Sequence, residues 1–126
     1  MNPELALQIS VVRYLDTVLL PPAFYTAFPA GGGGRTRGAL LKAAGLKAGL
    51  PDLLVTRPTR NICFEQYPTV ILGIELKAKA GLLSAAQHAC HKRLIECGWV
   101  VCVCRSIEEV HNALEQVGFD LRPHKL

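Results

Sequence analysis

Read for its apolar and polar positions, the chain alternates helix-like and strand-like stretches from end to end. Leu5, Ile9, Val12 and Leu19 recur at helical spacing behind Pro3, a residue suited to a first helical position, and predict a helix over 3–19. Pro21 and Pro22 stop it. Phe24 to Phe28 reads as a strand closed by Pro29, and the run Gly31 to Gly34 follows as a loop. Residues 37–44 have the length and composition for one or two helical turns. Leu53–Thr56 and Val70–Lys77 predict neighbouring strands joined by a proline-containing loop. Ser84 with Gln87 forms a capping box that opens a helix ending at Gly98. Trp99–Cys104 is almost uniformly apolar, as expected for a strand covered on both faces. A second capping box at Ser106 and Glu109 opens a helix with the stripe Ile107, Val110, Leu114 and Val117, closed by Gly118. With no internal repeat and no linker, the pattern predicts one α/β domain over residues 1–126.

The informative residues are those that break the pattern. Asp52 opens the apolar run Leu53-Leu54-Val55, while Glu75 and Lys77 interrupt the run that starts at Val70. Charged side chains rarely enter apolar strands unless they are paired or bind a metal. Residues two apart on a strand share a face, so Glu75 and Lys77 point one way and Leu76 the other. If the Asp52 strand lies alongside, two carboxylates converge. At ~5 Å and an effective dielectric near 20 they would repel by about 3 kcal/mol. A hard divalent cation relieves that repulsion, and Mg²⁺ suits a site with few carboxylates and several waters. Two acids and a lysine so placed fit phosphodiester hydrolysis, in which a metal activates water and the lysine orients the nucleophile or steadies the pentavalent state. The plainer alternative places Glu75 and Lys77 on the polar side of an edge strand.

Composition changes this picture in three respects. Half the residues are hydrophobic but only 6% are aromatic, so the core is mostly aliphatic. The net charge is +4, and residues 35–60 carry Arg35, Arg37, Lys42, Lys47, Arg57 and Arg60 against the single acid Asp52. That excess lies where a polyanionic substrate would need it, although a solvated basic loop explains it equally well. Five cysteines at irregular spacing argue against a disulfide framework. Cys102 and Cys104 share a strand face and Cys90 and Cys97 a helix face, so these four read as small hydrophobes of a reduced interior. No Cys-x-x-Cys pair suggests zinc. No apolar run approaches the ~18 residues of a membrane span, and the first residues do not resemble a signal peptide. A soluble, cytoplasmic protein is expected.

Gly49-Leu50-Pro51-Asp52, Glu75-Leu76-Lys77 and Gly81-Leu82-Leu83-Ser84-x-x-Gln87 together resemble the PD-(D/E)XK nuclease superfamily, and within it the VRR-NUC (virus-type replication-repair nuclease) branch. The resemblance extends to Pro29-Ala30-Gly31-Gly32 followed by Arg35, to Leu41–Gly45, and to the closing strand and helix. It implies a restriction-endonuclease-like core of order αβββαβ plus a C-terminal helix, with a mixed central β-sheet flanked by helices. It further implies a stand-alone Mg²⁺- or Mn²⁺-dependent endodeoxyribonuclease. Such minimal forms are associated with phage and bacterial genomes, which would mean host cytoplasm for a phage-encoded copy. They are also associated with homodimers that cut branched DNA, including four-way (Holliday) junctions.

Carried over by residue, the resemblance makes Asp52, Glu75 and the backbone carbonyl of Leu76 metal ligands and Lys77 the catalytic lysine. Gln87 would reach back toward the site, and Glu4 would approach the metal directly or through water. Each also has a structural explanation, in the capping box for Gln87 and in the helix dipole for Glu4. Arg35, Arg37, Lys42, Lys47, Lys79 and His91 are the expected DNA contacts, with His91 at a boundary position and His88 on the exposed face. Ala30 stands where the family usually shows asparagine, and the connection from Val55 to Val70 is longer than the shortest members need. One rival reading is a nucleic-acid-binding module that keeps the fold without the activity. A thiol enzyme pairing Cys90 with His91 is disfavoured, because adjacent helix positions do not face each other.

Overall fold

The computed structural model describes residues 1–29, 34–59 and 69–126. The element order is α1 (Pro3–Val18), β1 (Phe24–Ala27), α2 (Gly34–Ala43), β2 (Leu53–Pro58), β3 (Thr69–Leu76), α3 (Ala85–Glu96), β4 (Val100–Cys104) and α4 (Ile107–Gln116). One four-stranded sheet runs β1-β2-β3-β4. The first two pairings are antiparallel and β3–β4 is parallel, which makes the sheet mixed. A parallel pair needs a crossover, and α3 supplies it. The expected αβββαβ core with its C-terminal helix is present, and α2 is a full ten-residue helix rather than one or two turns. Ala30 of the glycine-rich loop, Arg60 of the basic run and most of the Val55–Val70 connection lie outside the described residues.

The core occupies one face of the sheet. Leu53 and Val55 of β2 and Leu72, Ile74 and Leu76 of β3 pack against Val11, Tyr14, Leu15 and Val18 of α1 and Val110, Ala113 and Leu114 of α4. For α1 this differs from the expected stripe: Leu5 and Ile9 are exposed. The buried face follows the spacing i, i+3, i+4, i+7 from Val11, because only the second half of the helix lies over the sheet. The first turn, capped where the Asn2 side chain accepts the Glu4 N–H at 2.8 Å, extends toward the opposite end of β3.

Two further expectations change. Strand β4 is a sheet edge, so Val100 and Val103 remain partly exposed despite its apolar sequence. Of the four cysteines read as interior, Cys104 is buried and Cys90 and Cys102 are half-buried, whereas Cys97 is exposed at the C-cap of α3. Around β1, Phe28 stacks on Trp99 and Leu19 packs on the core, while Phe24 is exposed. Among the described residues, no helix is long and apolar enough to cross a membrane.

Candidate active site

The other face of β3 presents Gly73, Glu75 and Lys77. Leu53 pairs with Ile74 across the antiparallel ladder, so one step further the register sets Asp52 opposite Glu75. Two glycines permit this approach. A Cβ on Gly73 would come within 2.9 Å of the Pro51 ring, and one on Gly49 would strike the Ala86 carbonyl oxygen at 2.2 Å. Gly49 also adopts a φ of +84°, a conformation that side-chain-bearing residues avoid. The segment Gly49-Leu50-Pro51 can therefore lie flat between β3 and the start of α3 and deliver Asp52 to the strand end.

Asp52 is anchored there by the Leu76 backbone N–H, which donates to its Oδ2 at 2.7 Å. Glu75 is only 2% exposed and Lys77 9%, on a central strand. The edge-strand alternative is thereby overturned. Lys77 extends the parallel ladder by one residue, its N–H donating to the Cys104 carbonyl at 3.1 Å. Beyond it, the Arg105 guanidinium donates to the carbonyls of Ala78 and Gly81, each at 2.8 Å, and ties down the loop. Glu4 reaches the same place from α1: its Oε1 and the Lys77 Cδ both lie 3.3 Å from where a Gly81 Cβ would be.

Burial is the main reason the Glu75 carboxyl is pushed up to about 8. The neighbouring Asp52 raises it further, as does Glu4, and only Lys77 opposes them. In the metal-free protein, folding therefore disfavours the ionised form of Glu75. The folded state holds a proton that the unfolded chain has already lost, so stability should fall as pH rises from about 4.5 to about 8 and then level off. Glu75→Gln should flatten that slope and, at pH 8, raise the stability of the metal-free protein by on the order of 3 kcal/mol. Urea unfolding at several pH values in chelator checks this. An unchanged slope in the variant would refute the origin assigned to it.

His91 departs most from expectation. It is not a boundary residue facing DNA but is 6% exposed, with its Nε2 3.1 Å from Glu75 Oε1. It is the only buried residue on α3, whose apolar positions Leu94 and Ile95 remain more open, so the helix is directed by the imidazole rather than by an aliphatic stripe. Burial lowers its pKa and favours the neutral ring. Sequence spacing offered one clue, since Gln87 and His91 are four apart on one helix face. Arg105 gave no comparable signal. Gln87 itself completes the capping box, its Oε1 accepting the Ser84 N–H at 2.9 Å. The Cys90 thiol is raised by burial, and His91 is already engaged with Glu75, so these two do not form an activated thiol pair.

Asp52 and Gln87 also line a cavity of about 410 Å³ whose walls include Phe28, Leu46, Lys42 and Lys47. Arg35 and Arg37 are exposed on α2, and Lys79 is exposed just after Lys77. Of the expected DNA contacts other than His91, all are thus on the surface or lining this cavity.

A mixed sheet with two acids and a lysine gathered at one strand end is the arrangement of a PD-(D/E)XK nuclease core. The VRR-NUC domain profile matches residues 31–108, and the chain belongs to that family of nucleases. A solved structure described as "VRR_NUC domain protein" is similar in fold: TM-score 0.65 at 21% identity, covering 94% of this chain and 89% of that one. No curated protein matches the chain.

Proposed function

We propose that the chain is a divalent-metal-dependent DNA endonuclease acting through Asp52, Glu75 and Lys77, as one nuclease unit over residues 1–126. The observation that carries this reading is Glu75: a carboxylate buried at a strand end, beside a second carboxylate, with its charge under-compensated. Natural cores seldom keep such a group without a task for it.

The donor set fits a hard cation. Among the described residues no three His, Cys, Asp or Glu side chains form a ready metal cluster. Asp52 and Glu75, set opposite each other by the strand register, supply two carboxylates, which suits Mg²⁺ with its one or two carboxylates and several waters, and Mn²⁺ suits the same oxygens. Asp52, Glu75 and the Leu76 carbonyl would hold it, with Glu4 near enough to contribute through water. When bound, the ion supplies a water of lowered pKa and offsets charge on the phosphate.

The chain's own residues do the rest. The Leu76 N–H fixes Asp52 in place. Lys77, held by the ladder and by the loop that Arg105 anchors, keeps its ammonium beside the carboxylates, where it orients the attacking water or steadies the pentavalent phosphate. Gln87 borders the approach from the cavity side while capping α3. Arg35, Arg37, Lys42, Lys47 and Lys79 engage the DNA backbone.

Substrate choice follows from geometry rather than sequence. Recognition through backbone contacts favours DNA that is already bent, whereas linear duplex must be deformed at a cost of roughly several kcal/mol. Branched DNA, four-way junctions first, is the preferred substrate in this reading. The deciding assay offers purified protein linear, flapped and four-way DNA of matched sequence, with Mg²⁺, with Mn²⁺ and with chelator. Paired nicks on the junction, slower cutting of the duplex and no cutting in chelator are expected. Cleavage of linear DNA at one fixed sequence would make the enzyme a restriction-type nuclease instead.

A homodimer completes the reading, since two symmetric sites can nick two strands of one junction. Its support is the exposed apolar sheet edges: Phe24 on β1 at one side, Val100 and Val103 on β4 at the other. Light scattering at micromolar concentration should give twice the 13.7 kDa chain mass. A monomer mass would reject the dimer.

A further inference from the structure

The reaction outlined above leaves the buried imidazole of His91 without a task. His91 Nε2 lies 3.1 Å from Glu75 Oε1, and once Glu75 ionises to hold a cation its carboxylate can only accept hydrogen bonds, so in that state it is Nε2–H of His91 that donates. The terminal torsion of a glutamate is broad and twofold, and an unanchored carboxylate would turn between orientations. A donor held on Oε1 removes that freedom.

His91 is well placed to act as such a donor, because α3 is fixed at both ends. The capping box at Ser84 and Gln87 sets its start, and the close approach of Gly49 to the Ala86 carbonyl seats that first turn against the Asp52 segment. At the other end, the N–H groups of Cys97, Gly98 and Trp99 close onto the carbonyls of the last turn. A side chain on so constrained a helix returns to one position. A leucine here would pack with similar bulk but leave Oε1 buried without a donor, a costly state for a carboxylate.

We propose that His91 is the positioning residue for Glu75, its buried Nε2–H holding the carboxylate in one orientation so that a divalent cation meets a pre-set ligand. This rests on the reading of Glu75 as a metal ligand, and the test keeps the two separable. Mn²⁺ binding to the metal-free protein is measured by titration calorimetry for the wild type, His91→Leu and His91→Gln, with thermal melts to confirm folding. The amide of glutamine can place a donor near the Nε2 position, whereas leucine keeps only the bulk. His91→Leu should weaken Mn²⁺ binding roughly 10- to 100-fold and His91→Gln should recover most of it, the range expected when a partner of a metal ligand is lost. Cleavage by His91→Leu should then be largely restored by raising Mn²⁺.

Wild-type Mn²⁺ affinity in His91→Leu would overturn the proposal, and so would equal losses in His91→Leu and His91→Gln, which would reduce His91 to packing. If His91→Leu fails to fold, His91→Gln against the shorter His91→Asn decides: the asparagine should bind Mn²⁺ more weakly, and equal affinities would overturn the proposal. A wild type that binds no Mn²⁺ would instead bring down the metal reading of Glu75, and this inference with it.

Discussion

Asp52→Asn, Glu75→Gln and Lys77→Ala should each lower single-turnover cleavage of a four-way junction by at least roughly a thousandfold, as expected for residues that act as one unit. The variants are chosen to separate chemistry from folding. Asparagine retains an oxygen that can accept the Leu76 N–H, so the strand end stays anchored while the charge is lost. Glutamine keeps the size of Glu75 and removes a carboxyl whose ionisation the fold disfavours, which should leave the metal-free fold intact or stabilised. Lys77 projects from the sheet face opposite Leu72, Ile74 and Leu76, so its loss leaves the main core untouched. Circular dichroism should therefore match the wild type, with melting temperatures unchanged or, for Glu75→Gln, raised. Near wild-type turnover in any one of the three would sink the assignment.

DNA affinity should also fall steeply with salt. If Arg35, Arg37, Lys42, Lys47 and Lys79 each neutralise one phosphate, the slope of log K against log salt is about −4.5, which is roughly 500-fold over a fourfold rise. Replacing Arg35 and Arg37 by alanine should reduce that slope by about two and weaken binding to all DNA alike, since these exposed side chains on α2 are proposed to contact phosphates rather than bases. Fluorescence anisotropy with the Lys77→Ala variant measures both without cleavage. An affinity flat across that range would contradict the proposed basic surface.

The element order and the acid–acid–lysine set were legible because they depend on local rules. Prolines, capping boxes and positive-φ glycines mark ends, and a period of two assigns Glu75 and Lys77 to one face with Leu76 on the other, where it is buried. Family motifs then linked Asp52 to them across the intervening residues. The helix faces were less legible. Leu5 and Ile9 carry the same apolar signal as Val11 and Leu15, and only the crossing of α1 over the sheet decides which of them is covered. Strand β4 looked fully buried for the same reason: an apolar sequence does not record whether a neighbour lies beyond it.

By itself, then, the sequence determined the order of elements, the shared face of Glu75 and Lys77, and membership of a nuclease family. These rest on chain-local geometry and on motifs that short spacings preserve. Only the tertiary structure decided that Asp52 stands opposite Glu75, that Glu4 and Arg105 close around Lys77, and that His91 turns inward to meet a carboxylate 16 residues earlier in the chain. Those relations depend on strand register and on how α3 seats against the Gly49–Asp52 segment. Such contacts join distant parts of the chain, and no local pattern of residues encodes them.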